Sequence, residues 1–180
     1  MIAYLFWHRP ERTEGTGGYE EALAGFHRQL AADRPPFLLG CATYRVEGAP
    51  WVDGREGDRG YEDWYLVRGF ADLELLNEAA VSARFRAGHD RVAAMAAWGT
   101  AGVYAVVRGQ PAWAARTVTW LGKPGGVPYP EFLASLPETA CLVQRQLVLG
   151  PTPEFCAAGE LEGGLVVRRD PVFVSAEGAG

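Results

Sequence analysis

The sequence is poor in positive charge, and what it has is scattered along the chain. Lys123 is the single lysine among 17 basic residues, the net charge is -5 and the pI is about 5.2. Proteins that bind nucleic acid usually present a basic face that neutralises phosphates. Because no cluster of Lys and Arg is present, the sequence predicts no nucleic-acid partner.

Long apolar runs are also missing. A membrane-spanning helix needs roughly 18–20 consecutive apolar residues, whereas the apolar stretches 23–30 and 92–107 are interrupted by charge or glycine. The N-terminus has neither the basic segment nor the cleavage site of a secretory signal. The three cysteines form no C-x-x-C pair, and an odd number makes a poor disulfide framework. We expect no membrane partner and a cytoplasmic location.

Motifs for metal and phosphate chemistry are lacking as well. The histidines, His8, His27 and His89, lie 19 and 62 residues apart, without the i,i+4 pair of a helical metal site or a cysteine at ligand spacing. No Gly-rich stretch matches either phosphate-binding motif, and none of the three serines lies in a nucleophile elbow. The sequence therefore predicts no metal and no cofactor.

What the sequence does contain is a series of strand and helix patterns in its first 109 residues. Residues 2–8 are apolar on both strand faces, Tyr19 opens a helical pattern that Pro35-Pro36 must end, and Asp72 is placed as the N-cap of a later helix. That helix is expected to break at Gly88 and to continue from Asp90 to Trp98, with Gly99 as its end. In order, the patterns predict strand 2–8, helix 19–33, strand 37–46, strand 61–68, helix 72–98 with its break, and strand 103–108.

The second half repeats the beginning of the first in weakened form. In both halves a strand leads through a Pro-containing turn to a helix that begins with tyrosine, Tyr19 or Tyr129, and then to another strand. Such self-similarity predicts an α+β fold of two ferredoxin-like βαββαβ repeats, 1–109 and 110–180, the second without its last helix. The elements predicted after the seam at Gln110-Pro111 are strand 113–120, helix 129–136, strand 141–149, strand 163–169 and a short strand 170–174.

This order of elements resembles the dimeric α/β-barrel superfamily, in which two ferredoxin-like sheets form a barrel with helices outside. Some members build the barrel from two chains and others from a duplication within one chain, as the two halves here suggest. The truncated second repeat departs from that plan. If it leaves a strand edge open, the edge would pair with a second chain, so a homodimer is the expected assembly in that case.

The repeat also leads to a prediction about which strand face looks inward. If Trp7 and Trp120 are equivalent and both face the helices, the opposite strand faces line the barrel interior. Polar groups there would indicate a ligand cavity, because buried polar groups need partners; the alternative is that they face solvent on an open sheet. The residues so placed are Tyr4, His8, Thr43, Arg45, Thr117, Thr119, Gln144 and Gln146.

His8 is the candidate catalytic residue, because a histidine at a strand end can exchange a proton near neutral pH. With Tyr4, Arg45 and Gln144 it would orient an anionic or oxygen-bearing ligand. The alternative is a structural histidine in a polar plug without room for a ligand. His27 is expected to be exposed or at a boundary, and Cys156 to be an inert thiol in a loop.

The resemblance leaves the function open, because the superfamily includes cofactor-free monooxygenases, isomerases, decarboxylases, haem-binding enzymes and ligand sensors. We expect a cytoplasmic small-molecule-binding protein, with a cofactor-free enzyme acting on an apolar or aromatic metabolite as one form of that function. Two alternatives stay open. One is a non-catalytic structural or oligomerisation protein with a packed barrel, and the other is a haem-binding member in which His89 would be the proximal ligand.

Overall fold

Eight antiparallel strands close into one barrel in the computed structural model, which describes residues 1–11, 16–52, 60–147 and 149–175. The predicted α+β class is therefore confirmed, with a closed antiparallel barrel at its centre. The connections between the predicted elements at 2–8 and 19–33, and at 37–46 and 61–68, fall partly outside the described residues; of the first, residues 16–18 belong to the first helix, Thr16–Asp33. Within the described ranges, no helix is long and apolar enough to cross a membrane.

The elements alternate in an order that puts four helices on the outside of the barrel. Around the barrel the strands lie in the order β1-β3-β2-β8-β5-β7-β6-β4. The elements are β1 (Ile2–Pro10), α1 (Thr16–Asp33), β2 (Leu38–Glu47), β3 (Gly60–Val67), α2 (Ala71–Ala80), α3 (Arg86–Met95), β4 (Ala96–Gly109), β5 (Thr117–Leu121), α4 (Tyr129–Ser135), β6 (Cys141–Gln146), β7 (Phe155–Ala158) and β8 (Leu165–Val174).

The barrel closes within one chain. β8 pairs with both β2 and β5, and β4 pairs with both β1 and β6, so the two halves of the chain are joined at two seams. The described barrel thus has no open strand edge of the kind that would have paired with a second chain. The reason for expecting a homodimer is therefore gone. The homodimer itself stays a prediction.

Large aromatic side chains fill the barrel interior. Trp7 and Trp120 are both buried there with their ring centroids 5.7 Å apart, and Tyr104 packs edge-on against both at 6.2 and 5.6 Å. Edge-to-face packing at these distances is favourable for aromatic rings. The prediction that Trp7 and Trp120 face the helices is therefore wrong, and so is every assignment of an inward face that depended on it.

A buried ion pair completes the interior. Glu62 accepts hydrogen bonds from the indole N–H groups of Trp7 at 2.7 Å and Trp64 at 2.6 Å, and Arg169 Nη1 lies 3.6 Å from Glu62 Oε1. The Arg169 guanidinium also lies over the Tyr44 ring at 4.4 Å. A void of about 10 Å³ beside this group has room for at most one water. The predicted ligand cavity inside the barrel is wrong, because the interior is packed.

The helices after β3 differ from their predicted bounds. Asp72 lies in the first turn of α2, where its carboxylate accepts a hydrogen bond from the Arg68 backbone N–H at 3.1 Å. The break between helices falls before residue 86, and Gly88 lies inside α3. A Cβ at Gly88 would be 3.3 Å from the Phe26 ring of α1, so this glycine allows two helices to approach rather than ending one.

Several strands were predicted with wrong limits, and one was missed. β5 begins at Thr117 and not at residue 113, and the strands predicted at 163–169 and 170–174 form one strand, β8. β4 begins at Ala96, so Trp98 and Gly99 lie in a strand instead of ending a helix. β7 was missed because four residues are too few to show alternation. Cys156 lies in β7 and not in a loop; it is buried, and burial raises the pKa of its thiol well above the usual value.

Candidate functional site

A large cavity lies outside the barrel, between the outer faces of β1, β3 and β4 and the helices α1, α2 and α3. Its volume is about 650 Å³. Most of its wall is apolar, with a few polar groups among aromatic side chains. The aromatic part of the wall consists of Tyr4, Phe6, Tyr19, Phe26, Tyr65 and Trp98.

The helices α2 and α3 pack incompletely beside the cavity. Neither contains a fully buried residue, although each has an apolar stripe that would normally pack on a sheet. Leu73 and Leu76 of α2 and Val92 of α3 are partly buried against core residues and also line the cavity. Small side chains such as Ala80 and Ala93 face the same space and leave it open. The apolar surface of both helices is thus available to a ligand.

Asp63 forms the polar floor of the cavity. It lies on β3, is 3% exposed, and accepts a hydrogen bond from the Tyr65 hydroxyl at 3.1 Å through Oδ2. Nε2 of His8 comes within 3.3 Å of Oδ1 and Nε2 of His27 within 3.9 Å, and neither contact has the direction of a hydrogen bond. Oδ1 therefore retains capacity to accept a hydrogen bond.

The surroundings of Asp63 keep its carboxylate ionised. Burial raises its pKa, but the charges of His8 and His27, together with the nearby polar groups of His8 and Thr43, outweigh burial, so that the pKa falls to about 2. The same carboxylate, with burial as the larger cause, raises the pKa of Tyr4 and Tyr65, which remain protonated at neutral pH. At the floor of the cavity, Asp63 thus carries a fixed negative charge beside the protonated phenols of Tyr4 and Tyr65.

His8 lies on the outer face of the sheet, beneath α1. Its ring is 1% exposed, Nδ1 shares a hydrogen bond of 2.7 Å with the Tyr19 hydroxyl, and the ring stacks on Tyr61 with centroids 5.7 Å apart. The prediction that His8 faces the barrel interior is wrong. His8 supports Asp63 from the side away from the cavity.

His27 is completely buried, so its expected exposed or boundary position is wrong. Its Nδ1 donates to the Leu23 carbonyl oxygen at 3.0 Å, and its ring stacks on Tyr65 with centroids 5.3 Å apart. Burial lowers its pKa, although the charge of Asp63 acts in the opposite direction. Sequence periodicity missed this position because α1 packs on the sheet over a face wider than its apolar stripe.

The residues predicted to line one cavity do share one face of the barrel wall, but it is the outer face. Those on β1 and β2 lie beneath or beside α1, where Arg45 pairs with Glu20 at 3.1 Å. Those on β5 and β6 lie elsewhere: Thr119 donates to the Gly159 carbonyl and Gln144 donates to Glu154. The predicted set therefore splits into Tyr4, His8, Thr43 and Arg45 on one side and Thr117, Thr119, Gln144 and Gln146 on the other, and only Tyr4 lines the cavity.

Sequence reasoning missed Asp63 and Tyr65, although a signal was present. β3 is buried throughout and reads Gly-Tyr-Glu-Asp-Trp-Tyr-Leu-Val. Two adjacent acids in such a strand must point to opposite faces, and both need partners. Glu62 finds them inside the barrel and Asp63 finds them outside. An acidic pair inside an aromatic strand was the available indication of a polar site on each side of the sheet.

His89 lies on α3 and lines the cavity wall. Its Nδ1 is 3.1 Å from Oδ1 of Asp90, and its side chain is partly exposed. The described residues contain no group of three His, Cys, Asp or Glu side chains arranged to hold a metal ion.

No protein-family model matches the chain, and neither a curated protein nor a solved structure matches it significantly.

Proposed function

We propose that the protein binds a small molecule with an apolar or aromatic body in the cavity between the sheet and the helices. The observation that carries this proposal is that α2 and α3 bury none of their residues and stand over a cavity of about 650 Å³. Cavities of roughly 300–1,000 Å³ with mostly apolar walls and a few polar groups are typical of small-molecule sites. A ligand would cover apolar surface that the helices leave exposed.

A purely structural role accounts less well for this region. The packed barrel supports stability on its own, and the aromatic cluster around Trp7 needs no ligand. A structural protein, however, gains by packing its helices directly on the sheet, because burial of apolar surface is the main stabilising term. The buried charge of Asp63 at the cavity floor adds a cost that a structural role does not explain.

An enzyme remains one form of the proposed function. Asp63, Tyr65 and Tyr4 are the polar groups that a ligand would meet at the floor of the cavity. His8 is a positioning residue in this proposal, since it contacts Asp63 and Tyr19 but does not line the cavity. Two expectations from the sequence stay predictions: that the protein is cytoplasmic and that it forms a homodimer.

Haem is the second candidate ligand, favoured by the position of His89. A histidine on a cavity wall with its Nδ1 held by a carboxylate, as Asp90 holds it here at 3.1 Å, is oriented to offer Nε2 as an axial ligand. Haem would supply redox and oxygen chemistry. Titration with hemin tests this candidate: a Soret band that shifts on binding and is lost in His89→Ala supports it, and an unshifted band rules it out.

We also infer that the chain consists of two ferredoxin-like repeats, 1–109 and 110–180, of the kind found in the dimeric α/β-barrel superfamily. The support is the strand order. The first half lies as β4-β1-β3-β2 and the second as β8-β5-β7-β6, which is the same order when each half is numbered from its first strand. Trp7 and Trp120 lie on the first strand of each half.

The test of ligand binding uses a matched pair of alanines on α3. Both alanines are exposed, but Ala93 lines the cavity and its neighbour Ala94 is not part of the wall. The neutral dye N-phenyl-1-naphthylamine should gain fluorescence with the wild type and with Ala94→Trp, and should bind at least about tenfold more weakly to Ala93→Trp, because a Trp side chain fills a large part of the cavity. Equal binding by all three proteins would disprove the proposal.

A further inference from the structure

We infer that the preferred ligand of the cavity is an organic cation, namely an aromatic or apolar amine whose ammonium group lies against Asp63. This inference rests on the proposed function, because it specifies the charge of the small molecule that the cavity would hold. It replaces the anionic or oxygen-bearing ligand expected from the sequence.

The charges around the cavity favour a cation. Of the described residues that line it, Asp63 is the single carboxylate, and none is Lys or Arg. Arg45, which was expected to hold an anion, donates to Glu20 at 3.1 Å and does not line the cavity. An anionic ligand would thus meet a like charge on the cavity wall, whereas an ammonium group would be attracted by the carboxylate and could donate a hydrogen bond to its Oδ1.

The two histidines beside Asp63 do not remove the need for a cation. His27 donates through Nδ1 to the Leu23 carbonyl oxygen, and burial lowers its pKa, which favours the neutral ring at pH 7. Its Nε2 lies 3.9 Å from Oδ1 of Asp63, and Nε2 of His8 lies at 3.3 Å, both without hydrogen-bond geometry. Oδ1 is therefore a buried acceptor without a well-directed donor, at the floor of an open cavity.

The aromatic wall suits the same ligand. Tyr4 and Tyr65 lie beside the floor with ring centroids 6.2 Å apart, and Phe6 belongs to the same cavity wall. A cation within about 6 Å of such rings is attracted by their quadrupoles, and Trp and Tyr give the strongest attraction. An ammonium group would thus make an ionic contact with the Asp63 carboxylate and cation–π contacts with the surrounding rings. A neutral ligand would make neither of these contacts.

Three ligands of one shape and different charge test the inference. Tryptamine carries an ammonium group, 3-ethylindole is its neutral counterpart, and indole-3-acetate is its anionic counterpart. Calorimetry at pH 7 and 0.15 M salt should show tryptamine binding the wild-type protein at least about tenfold more tightly than 3-ethylindole, with indole-3-acetate the weakest of the three. At this ionic strength, attraction by distant surface charges is largely screened.

Two variants assign the preference to one carboxylate. In Asp63→Asn the advantage of tryptamine over 3-ethylindole should fall to less than about threefold, while 3-ethylindole keeps its affinity. Glu78→Gln, which removes an exposed acid of α2 outside the cavity wall, should keep the full advantage. Loss of the advantage in Glu78→Gln would assign it to general surface charge and overturn the inference.

The outcomes separate the inference from the function on which it rests. If the neutral dye binds the wild type and tryptamine binds no more tightly than 3-ethylindole, the inferred charge is wrong and the proposed function stands. If the neutral dye does not bind, both fail. The comparison of ligands on the wild-type protein does not require Asp63→Asn to fold, so the inference remains testable if that variant is unstable.

Discussion

His8 and Asp63 lie with Nε2 and Oδ1 3.3 Å apart beneath α1, and both side chains are almost completely buried. Each acts on a different neighbour: His8 also bonds Tyr19 of α1, and Asp63 reaches the cavity. The pair thus connects the first helix to the floor of the proposed ligand site. Replacing either residue should therefore change both the stability of the protein and ligand binding in the cavity.

His8→Ala should destabilise the protein by about 2–4 kcal/mol, because it removes a buried ring, the hydrogen bond with the Tyr19 hydroxyl and the contact with Asp63. The ring stacks on Phe6 as well as on Tyr61. Urea denaturation followed by far-UV circular dichroism measures the change. His89→Ala is the control, since that side chain is partly exposed and should cost less than about 0.5 kcal/mol. Equal stability of the two variants would contradict the structural role of His8.

Glu62→Gln should destabilise the protein by about 3–5 kcal/mol, because it leaves the buried guanidinium of Arg169 without its counter-ion. Both residues lie inside the barrel, with Glu62 fully buried and Arg169 nearly so. Asp170→Asn is the matched control on the same strand as Arg169, because its pair with Arg116 is largely exposed and such pairs contribute little. Thermal denaturation of both variants measures the difference, and a small loss in Glu62→Gln would show that the interior tolerates an unpaired charge.

The sequence could predict which strand residues share a face but not which face looks inward. In β1 both faces are apolar, so Leu5 and Trp7 on one side and Tyr4 and Phe6 on the other are equally good core residues by pattern alone. The choice is made by tertiary packing, since Trp7 is large enough to meet Trp120 across the barrel. That choice cannot be read from one strand.

The site was only partly predictable for the same reason. Tyr4 and His8 were predicted to share a strand face, which they do, but on the outside of the barrel and not in its interior, and their neighbour Asp63 was missed. The cavity itself depends on the incomplete packing of α2 and α3 beside the sheet. Their apolar stripes predict helices that pack closely, and no local pattern distinguishes a helix that packs on a sheet from one that covers a cavity.

Gly99→Ala should weaken binding of the neutral dye. A Cβ at Gly99 would lie 2.5 Å from Cζ of the Phe6 ring, so the ring must move, and the open space beside it is the cavity. Overpacking of this kind costs about 1–3 kcal/mol. Gly122→Ala is the control, because a Cβ there meets nothing within 4 Å. Fluorescence titration with the dye measures the effect, and unchanged affinity in Gly99→Ala would place the Phe6 ring outside the ligand site.

Stability should fall as the pH drops below about 6.5, and His27 should account for part of the loss. Its pKa in the folded protein is lowered from the ordinary value of 6.5, chiefly by burial, although Asp63 opposes the shift and His8 adds to it. Below pH 6.5 the unfolded chain therefore binds a proton at His27 that the folded chain binds less well, so protonation favours unfolding.

Asp63 contributes at lower pH. Its folded pKa of about 2 lies below the ordinary 3.8, so its contribution is lost only as the pH falls from about 3.8 toward 2. The two effects are separable by urea denaturation at pH 7.0 and 5.5, a range in which Asp63 does not titrate.

His27→Phe isolates the first effect, because a phenyl ring can still stack on Tyr65 but cannot bind a proton. The variant should be less stable than the wild type at pH 7.0, since the hydrogen bond to the Leu23 carbonyl is lost. It should nevertheless lose less stability than the wild type between pH 7.0 and 5.5. A loss equal to that of the wild type would show that His27 takes up its proton as readily in the folded protein as in the unfolded chain, contrary to its burial between α1 and the sheet.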